Sequence, residues 1–321
     1  MEIFYSVFQM TLMVAVSITM VAFGGMFAER SGVINIALEG MMIMGAFVGT
    51  LFIHFIQTTN VAMNPQVMLL LAMLIAGVVG GVTSLLLAVS AVNLKADQTI
   101  GGTAINMMAP ALVIFLARTL LGAKNISFDT STFYIRDNWA LAKIPVLGDL
   151  FFKNTYLTIY VGIFIAVAAT ITLYRTKFGL RLMACGEHPQ AADSVGINVY
   201  KMRYAGTVIS GVLGGIGGLM YIVCTNSVFS GDVSGFGFLS LAVMIFGQWN
   251  PIKIMLSALF FALLRVIANY YIAIPWLNDL GIPSDVYKML PYIATLVVLA
   301  FTSKNSRAPK AEGIPYDKGQ R

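Results

Sequence analysis

Few side chains in this 321-residue chain are able to do chemistry, and they sit in apolar surroundings. Glu39 lies inside "GVINIALEGMMIMGA" (32–46), where an unpartnered carboxylate is costly unless it faces water or a partner group. Asn35 stands four residues earlier and therefore on the same face of a helix. The pair lines a polar pathway or belongs to an interhelical hydrogen-bond cluster. Arg265, in "LFFALLRVIANYY" (259–271), needs a partner for the same reason. Glu39 is a candidate for it, and snorkelling to an interface is the alternative. Asn106, in "GGTAINMMAP" (101–110), is a further buried polar group able to reach a polar solute. Phe236 and Phe238 close the glycine-rich stretch "TNSVFSGDVSGFGF" (225–238), and their rings are able to stack on a base. Glu29 and Arg30 adjoin a span end and read as an interfacial charged pair.

These groups do not make a catalytic constellation. His54 and His188, Cys185 and Cys224 fall on separate segments, which gives neither a metal-ligand cluster nor a disulfide framework. No G-x-x-x-x-G-K-[ST] run is present to cradle nucleotide phosphates. The chain is read as a non-enzyme without a metal or cofactor of its own.

The elements that must position these residues are membrane helices. Hydrophobic residues make up 58% of the chain and charged residues 11%, against about 25% charged in soluble domains; mean hydropathy is +0.83. Apolar runs at roughly 4–28, 33–56, 66–92, 99–121, 156–174, 203–224, 237–248, 252–273 and 287–302 predict an all-α polytopic bundle of about nine helices. The seventh is short, and is either a half-helix that enters the membrane and turns back or a tilted span extended by flanking residues. Glycine pairs at Gly77 and Gly81, Gly211 and Gly215, and Gly214 and Gly218 have the spacing of close helix packing.

The net charge of +6 is read as the positive-inside bias of a cell-membrane protein, not as affinity for nucleic acid. Arg175, Lys177, Arg181, Lys201 and Arg203 place the loop 175–203 in the cytoplasm. The basic tail 303–321 falls on the same side, four segments later. The membrane domain is thus 1–302, with the loop 122–155 and the N-terminus outside. The tail is almost free of large apolar residues and is expected to be disordered.

Within the cytoplasmic loop, Pro189 suits the first turn of a short helix and Gly196 its stop. Ala191 and Ala192 leave the middle of that helix open to close approach. It is either a connector or a contact surface.

Three stretches carry a resemblance: "GVINIALEGMMIMGA", "GLRLMACGEHPQAADSVGINVYKMRY" (179–204) and "GLMYI" (218–222). The chain resembles the ABC-importer permeases for branched-chain amino acids, simple sugars and nucleosides, closest to the nucleoside branch, with ribose-like sugars as the alternative. "QAADSVG" has the E-A-A-x-x-x-G spacing of their coupling loop, with Gln190 at the glutamate position. The resemblance implies a type II importer fold of around ten helices. It implies an ATPase on a separate chain, which carries the ATP and Mg, a second and longer permease, and an extracellular substrate-binding lipoprotein. It assigns ATPase coupling to Gly186, Glu187, Pro189, Gln190, Ala191, Ala192, Asp193 and Gly196. Lys124 and Arg136, in the loop 122–155, are the expected docking groups for the binding protein. An ion-coupled secondary transporter is the competing reading, and for it Glu39 is the one convincing coupling group.

Overall fold

Each of the nine apolar runs forms a helix in the computed structural model, which describes residues 2–59, 61–135, 147–153, 155–273, 279–280, 282–302 and 308–319. The long helices are α1 (Glu2–Arg30), α2 (Leu38–Thr58), α3 (Pro65–Ala88) and α4 (Gln98–Leu121). A short α5 (Leu147–Phe151) precedes α6 (Leu157–Arg175). Then come α7 (Lys177–Glu187), α8 (Pro189–Ser194), α9 (Val199–Thr225), the short α10 (Phe236–Phe246), α11 (Pro251–Tyr270) and α12 (Ser284–Thr302). Among the described residues, seven helices are long and apolar enough to cross a membrane: α1, α2, α3 with its closing π turn, α4, α6, α9 and α11. The second run starts five residues later than the sequence suggests, because residues 31–37 form a turn and not a helix.

Local chemistry sets the helix starts. Asn64 caps α3, Asp97 caps α4, Asn198 caps α9 and Asn250 caps α11, each accepting a hydrogen bond from a first-turn N–H. Pro65, Pro189 and Pro251 occupy first helical positions, where the missing N–H costs nothing.

Helices α1 and α9 form the centre and are the most buried spans. The run "GVLGGIGGLM" is a close-packing surface on three sides. A methyl group on Gly211 or Gly215 would overlap α3 carbonyl oxygens at Gly80 and Ala76; on Gly218 it would overlap Met42 of α2; on Gly217 it would strike Val21 of α1. Lipid supplies little hydrophobic drive between helices, so such backbone-to-backbone approach is what binds them.

At one end the connections are tied by two-residue antiparallel ladders. β1 (Ile126–Ser127) pairs with β4 (Val228–Phe229), and β2 (Tyr134–Ile135) with β3 (Thr155–Tyr156). The imidazole of His54, on the last turns of α2, is hydrogen-bonded to the Ser127 carbonyl at 2.7 Å, which fixes this loop on the bundle.

At the other end lie α7, α8 and the C-terminal segment. The expectation of a disordered tail fails for residues 308–319. Ala311 N–H donates to the Gly186 carbonyl at 2.8 Å, Gly313 N–H to Gly32 at 3.2 Å, and Arg203 Nη1 to the Ile314 carbonyl at 2.8 Å. Ala311 and Tyr316 are buried. The composition argument fails because backbone groups and one aromatic ring hold the segment, not large aliphatic side chains. Arg203, counted above as a loop charge, is a buried α9 residue that anchors this tail.

The glycine packing makes a contrast testable. Gly80→Ala should lower the yield of monodisperse detergent-extracted protein severalfold, because its methyl group meets a carbonyl oxygen of α9. Gly214→Ala should be tolerated, because the nearest atom to its methyl is the Met41 Cβ at 3.3 Å. Equal yields, measured by fluorescence-detected size exclusion, would contradict the packing.

Candidate functional site

A helix that begins inside a membrane exposes backbone N–H groups that neither water nor lipid satisfies. α10 starts against Glu39 of α2 and Tyr221 of α9, inside the bundle of spans. It has 11 residues, about 16 Å at ~1.5 Å per residue, half of a hydrocarbon core about 30 Å thick. The chain leaves the β1–β4 end at Phe229, descends through residues 230–235 and only then becomes helical. The seventh run is thus a half-length helix that, with the extended residues 230–235, leads from the β1–β4 end to the Trp249 turn beside the last turn of α1; it does not turn back.

Glu39 completes the start of α10. Its carboxylate accepts from Gly235 N–H at 2.9 Å and from Gly237 N–H at 2.6 Å. Gly235 takes φ +76°, and a methyl at Gly237 would overlap the Glu39 backbone. Two glycines and one buried carboxylate therefore make the break possible, with the charge at the positive end of the helix dipole. Arg265 is not the partner of Glu39. Its guanidinium lies over the Phe236 ring, 5.2 Å from the centroid. Phe236 stacks on Tyr221 with centroids 3.8 Å apart. The Nε of Arg265 has no hydrogen-bond partner among the described residues.

Asn35 and Asn106 are both held by hydrogen bonds within the bundle. Asn35 lies in the turn before α2, so the four-residue face argument does not apply to it. It is fully buried and donates to the Ser210 hydroxyl at 2.6 Å. Asn106 bridges the same turn: its Nδ2 donates to the Ile36 carbonyl at 2.8 Å, and its Oδ1 accepts from Gly40 N–H at 2.7 Å. Phe236 is buried, whereas Phe238 is half exposed.

The other end of α10 meets α1. Gln248 and Trp249 both take positive φ, +49° and +53°, in the tight reversal before α11. Non-glycine residues accept that conformation only where surrounding contacts enforce it. Here Trp249 Nε1 donates to Glu29 at 2.6 Å, and the Trp249 carbonyl accepts from Arg30 at 3.2 Å and from the Tyr174 hydroxyl at 3.2 Å. Arg30 also faces Glu187 at 3.6 Å. Glu29 and Arg30 therefore do not neutralise each other; both grip the Trp249 turn. Trp249 was not singled out in the sequence, although a tryptophan just beyond a half-helix was a signal available there.

The short polar helix starts at Pro189, with His188 Nδ1 accepting from Ala191 N–H at 3.2 Å, and stops before Gly196 at φ +84°. Glu187, Gln190, Ala191 and Gly196 are exposed, as is Val195 at 75%. Gly186, Pro189 and Ala192 face inward. A methyl on Gly186 would overlap the Arg30 carbonyl, and Ala192 packs in a cluster with Cys185, Val199 and Tyr316. Asp193 is mostly buried and faces Lys318 at 3.8 Å. Half of the predicted contact surface is thus the foundation of the other half. At the opposite end Lys124 is exposed, and Arg136 lies outside the described residues.

A bundle of apolar helices with one broken span and a polar shelf at one end is the build of a membrane permease. The chain belongs to the family described as branched-chain amino acid transport system / permease component, whose model matches residues 7–299. It is 42% identical over 301 residues, 92% of each chain, to the nucleoside ABC transporter permease protein NupC of Lactococcus lactis subsp. cremoris. It is 41% identical over 312 residues, 97% of this chain and 96% of the relative, to the guanosine ABC transporter permease protein NupQ of Bacillus subtilis. A second Lactococcus lactis protein, the nucleoside ABC transporter permease protein NupB, is 24% identical over 92% of this chain and 80% of its own length. Among solved structures none matches the chain.

Two outcomes follow from this geometry. Glu39→Gln replaces a carboxylate that accepts two N–H bonds with an amide that has one acceptor oxygen. It should destabilise the folded protein by about 1–3 kcal/mol, the cost of a buried unsatisfied group, read as a lowered midpoint of thermal unfolding in detergent. An unchanged midpoint would contradict the capping role. At the Trp249 end, Glu312 of the tail lies against Glu29, and burial pushes its carboxyl up to about 7 from 4.5. The docked tail therefore keeps a proton that a released tail gives up across that window, so docking weakens as pH rises from 4.5 to about 7. Trypsin cleavage at Lys310 and Lys318, taken relative to Glu312→Gln at each pH, should rise between about pH 5 and about pH 7 and then level off. A flat ratio would remove the proton from the contact.

Proposed function

We propose that this chain is a membrane-spanning permease subunit of an ABC importer that takes up nucleosides. The observation that carries the reading is similarity over nearly the full length, at 42% and 41% identity, to permeases named for nucleosides and for guanosine. Energy comes from a separate ATPase chain that binds ATP and Mg, since this sequence has no phosphate-cradling loop. The second permease is a different, longer chain. In support, Lactococcus lactis has two nucleoside permeases, and this chain spans 92% of one and 80% of the other. A substrate-binding lipoprotein delivers the solute at the β1–β4 end, where the exposed Lys124 supplies a weak basic contact; Arg136 is the second basic docking group in this reading.

In this reading the α7–α8 end, with the tail, is cytoplasmic, and the exposed face of Glu187, Gln190, Ala191, Val195 and Gly196 receives the ATPase. A push on this shelf reaches Arg30 through Glu187, passes to the Trp249 turn and displaces α10. The far end of α10 carries Phe236 beside Arg265 and Tyr221, with Phe238 on its exposed side. Aromatic faces and a guanidinium suit a planar, polar base. This chain performs no covalent step; it alternates the exposure of that node.

Radiolabelled guanosine uptake by cells expressing the whole transporter tests the reading. Uptake should be competed by unlabelled nucleosides and not by ribose, and should persist when the ion gradients are collapsed while ATP is maintained. Competition by ribose would redirect the assignment to simple sugars, and loss of uptake with the gradients would favour ion coupling. Ala191→Trp should lower capture of the ATPase from membranes at normal permease abundance. Ala192→Trp should lower abundance itself, because that side chain is buried. The reverse pattern would misplace the contact face.

A further inference from the structure

The tail segment 308–319 touches nearly every element that supports the coupling shelf. Ala311 bonds the last turn of α7 at Gly186, Gly313 bonds Gly32 after α1, and Ile314 is held by Arg203 of α9. Asp317 pairs with Lys95, between α3 and α4, at 2.8 Å, and Lys318 faces Asp193 of α8 at 3.8 Å. Tyr316, 5% exposed, meets Tyr200 edge-on at 5.4 Å and shares a buried cluster with Cys185 and Ala192. The contacts run across α7 and α8 and end on both sides of them. A shelf that is to move under an ATPase is thus fastened to the bundle by a separate piece of chain.

We propose that residues 308–319 are a strap that clamps α7–α8 at rest and restrains the shelf until the loaded transporter drives it, so that idle ATP hydrolysis is held down. The role as a brake rests on the importer reading; the docking of the strap does not. Gly32 and Gly313 fit this part, since both take positive φ, +94° and +73°, and let two chain segments cross at close range. The strap is mostly backbone-bonded and carries two exposed or partly exposed ion pairs, a build that holds without being permanent.

Cys185 is a native reporter, because its thiol is fully buried in the cluster that Tyr316 completes. In a Cys224→Ala background, maleimide labelling of Cys185 in membranes should rise about tenfold when the chain is cut after residue 307 or carries Tyr316→Ala, the size of effect for a loss of about 1.4 kcal/mol of cover. A truncated chain that fails to fold is controlled by a charge exchange. Asp317→Lys and Lys95→Asp singly should raise labelling up to about fivefold, and the double exchange should restore it, as for an exposed pair worth at most ~1 kcal/mol. In the full complex with its ATPase, the same variants should raise ATP hydrolysis measured without solute. Labelling that does not change would show that the strap is not docked and would overturn the proposal. Raised labelling with unchanged idle hydrolysis would also overturn it, leaving the segment as passive cover. Failure of the ATPase to assemble with the wild type would count against the importer reading instead, with the labelling result standing by itself.

Discussion

A helix cannot start within a membrane unless something takes its first N–H groups, and here that something is the Glu39 carboxylate. The requirement works in both directions. A carboxylate in an apolar bundle also needs partners, and two backbone donors at the positive end of a helix supply them without a cation. One contact thus resolves two costly burials. Gly237 allows the approach by having no side chain, and Gly235 turns the chain into the helix. Asn106 and Asn35 in turn hold the short segment that presents Glu39, through Gly40, Ile36 and Ser210. Asn35, Glu39 and Asn106, three of the pathway candidates in the sequence, all make hydrogen bonds at or beside this joint.

With its start fixed, α10 behaves as a short rod with a polar node at each end. At one end Phe236, Tyr221 and Arg265 meet; at the other, Trp249 is gripped by Glu29 and Arg30. The positive φ of Gln248 and Trp249 keeps the reversal into α11 tight, so a displacement of α1's last turn is not absorbed in a slack loop. Arg30 also faces Glu187 at the edge of the shelf. Phe236 and the α7–α8 shelf are therefore linked through three contacts and the helix α10, while the glycine seam of α9 packs closely against α1, α2 and α3.

Much of the architecture was legible in the sequence because lipid imposes one rule, long apolar runs, and the nine runs are nine helices. The bounds of α8 were legible too, since Pro189 and Gly196 carry their backbone preference wherever they stand. Side-chain partnerships were not. Placing Asn35 and Glu39 on one helical face assumed a helix that begins at Leu38 instead, and pairing Glu39 with Arg265 matched charge with charge when the actual donors were backbone N–H groups. The tail was misread because its order depends on carbonyl and N–H contacts with Gly186, Gly32 and Arg203, which composition does not register. Ala192 was counted as surface because helical periodicity over six residues is too short to tell an inward from an outward position.

The central claim is that the shelf and α10 move as one body. The most direct measurement is the distance between spin labels at Gln190 and Phe238, both exposed, in the assembled transporter, recorded at rest and with ATP trapped on its ATPase. The distribution between these two sites should stay the same in the two states, while the distance from Phe238 to Thr103, on α4, should shift. A Gln190–Phe238 distance that changes while Phe238–Thr103 holds still would mean that the shelf moves without α10, and the mechanical link drawn through Trp249 would be wrong.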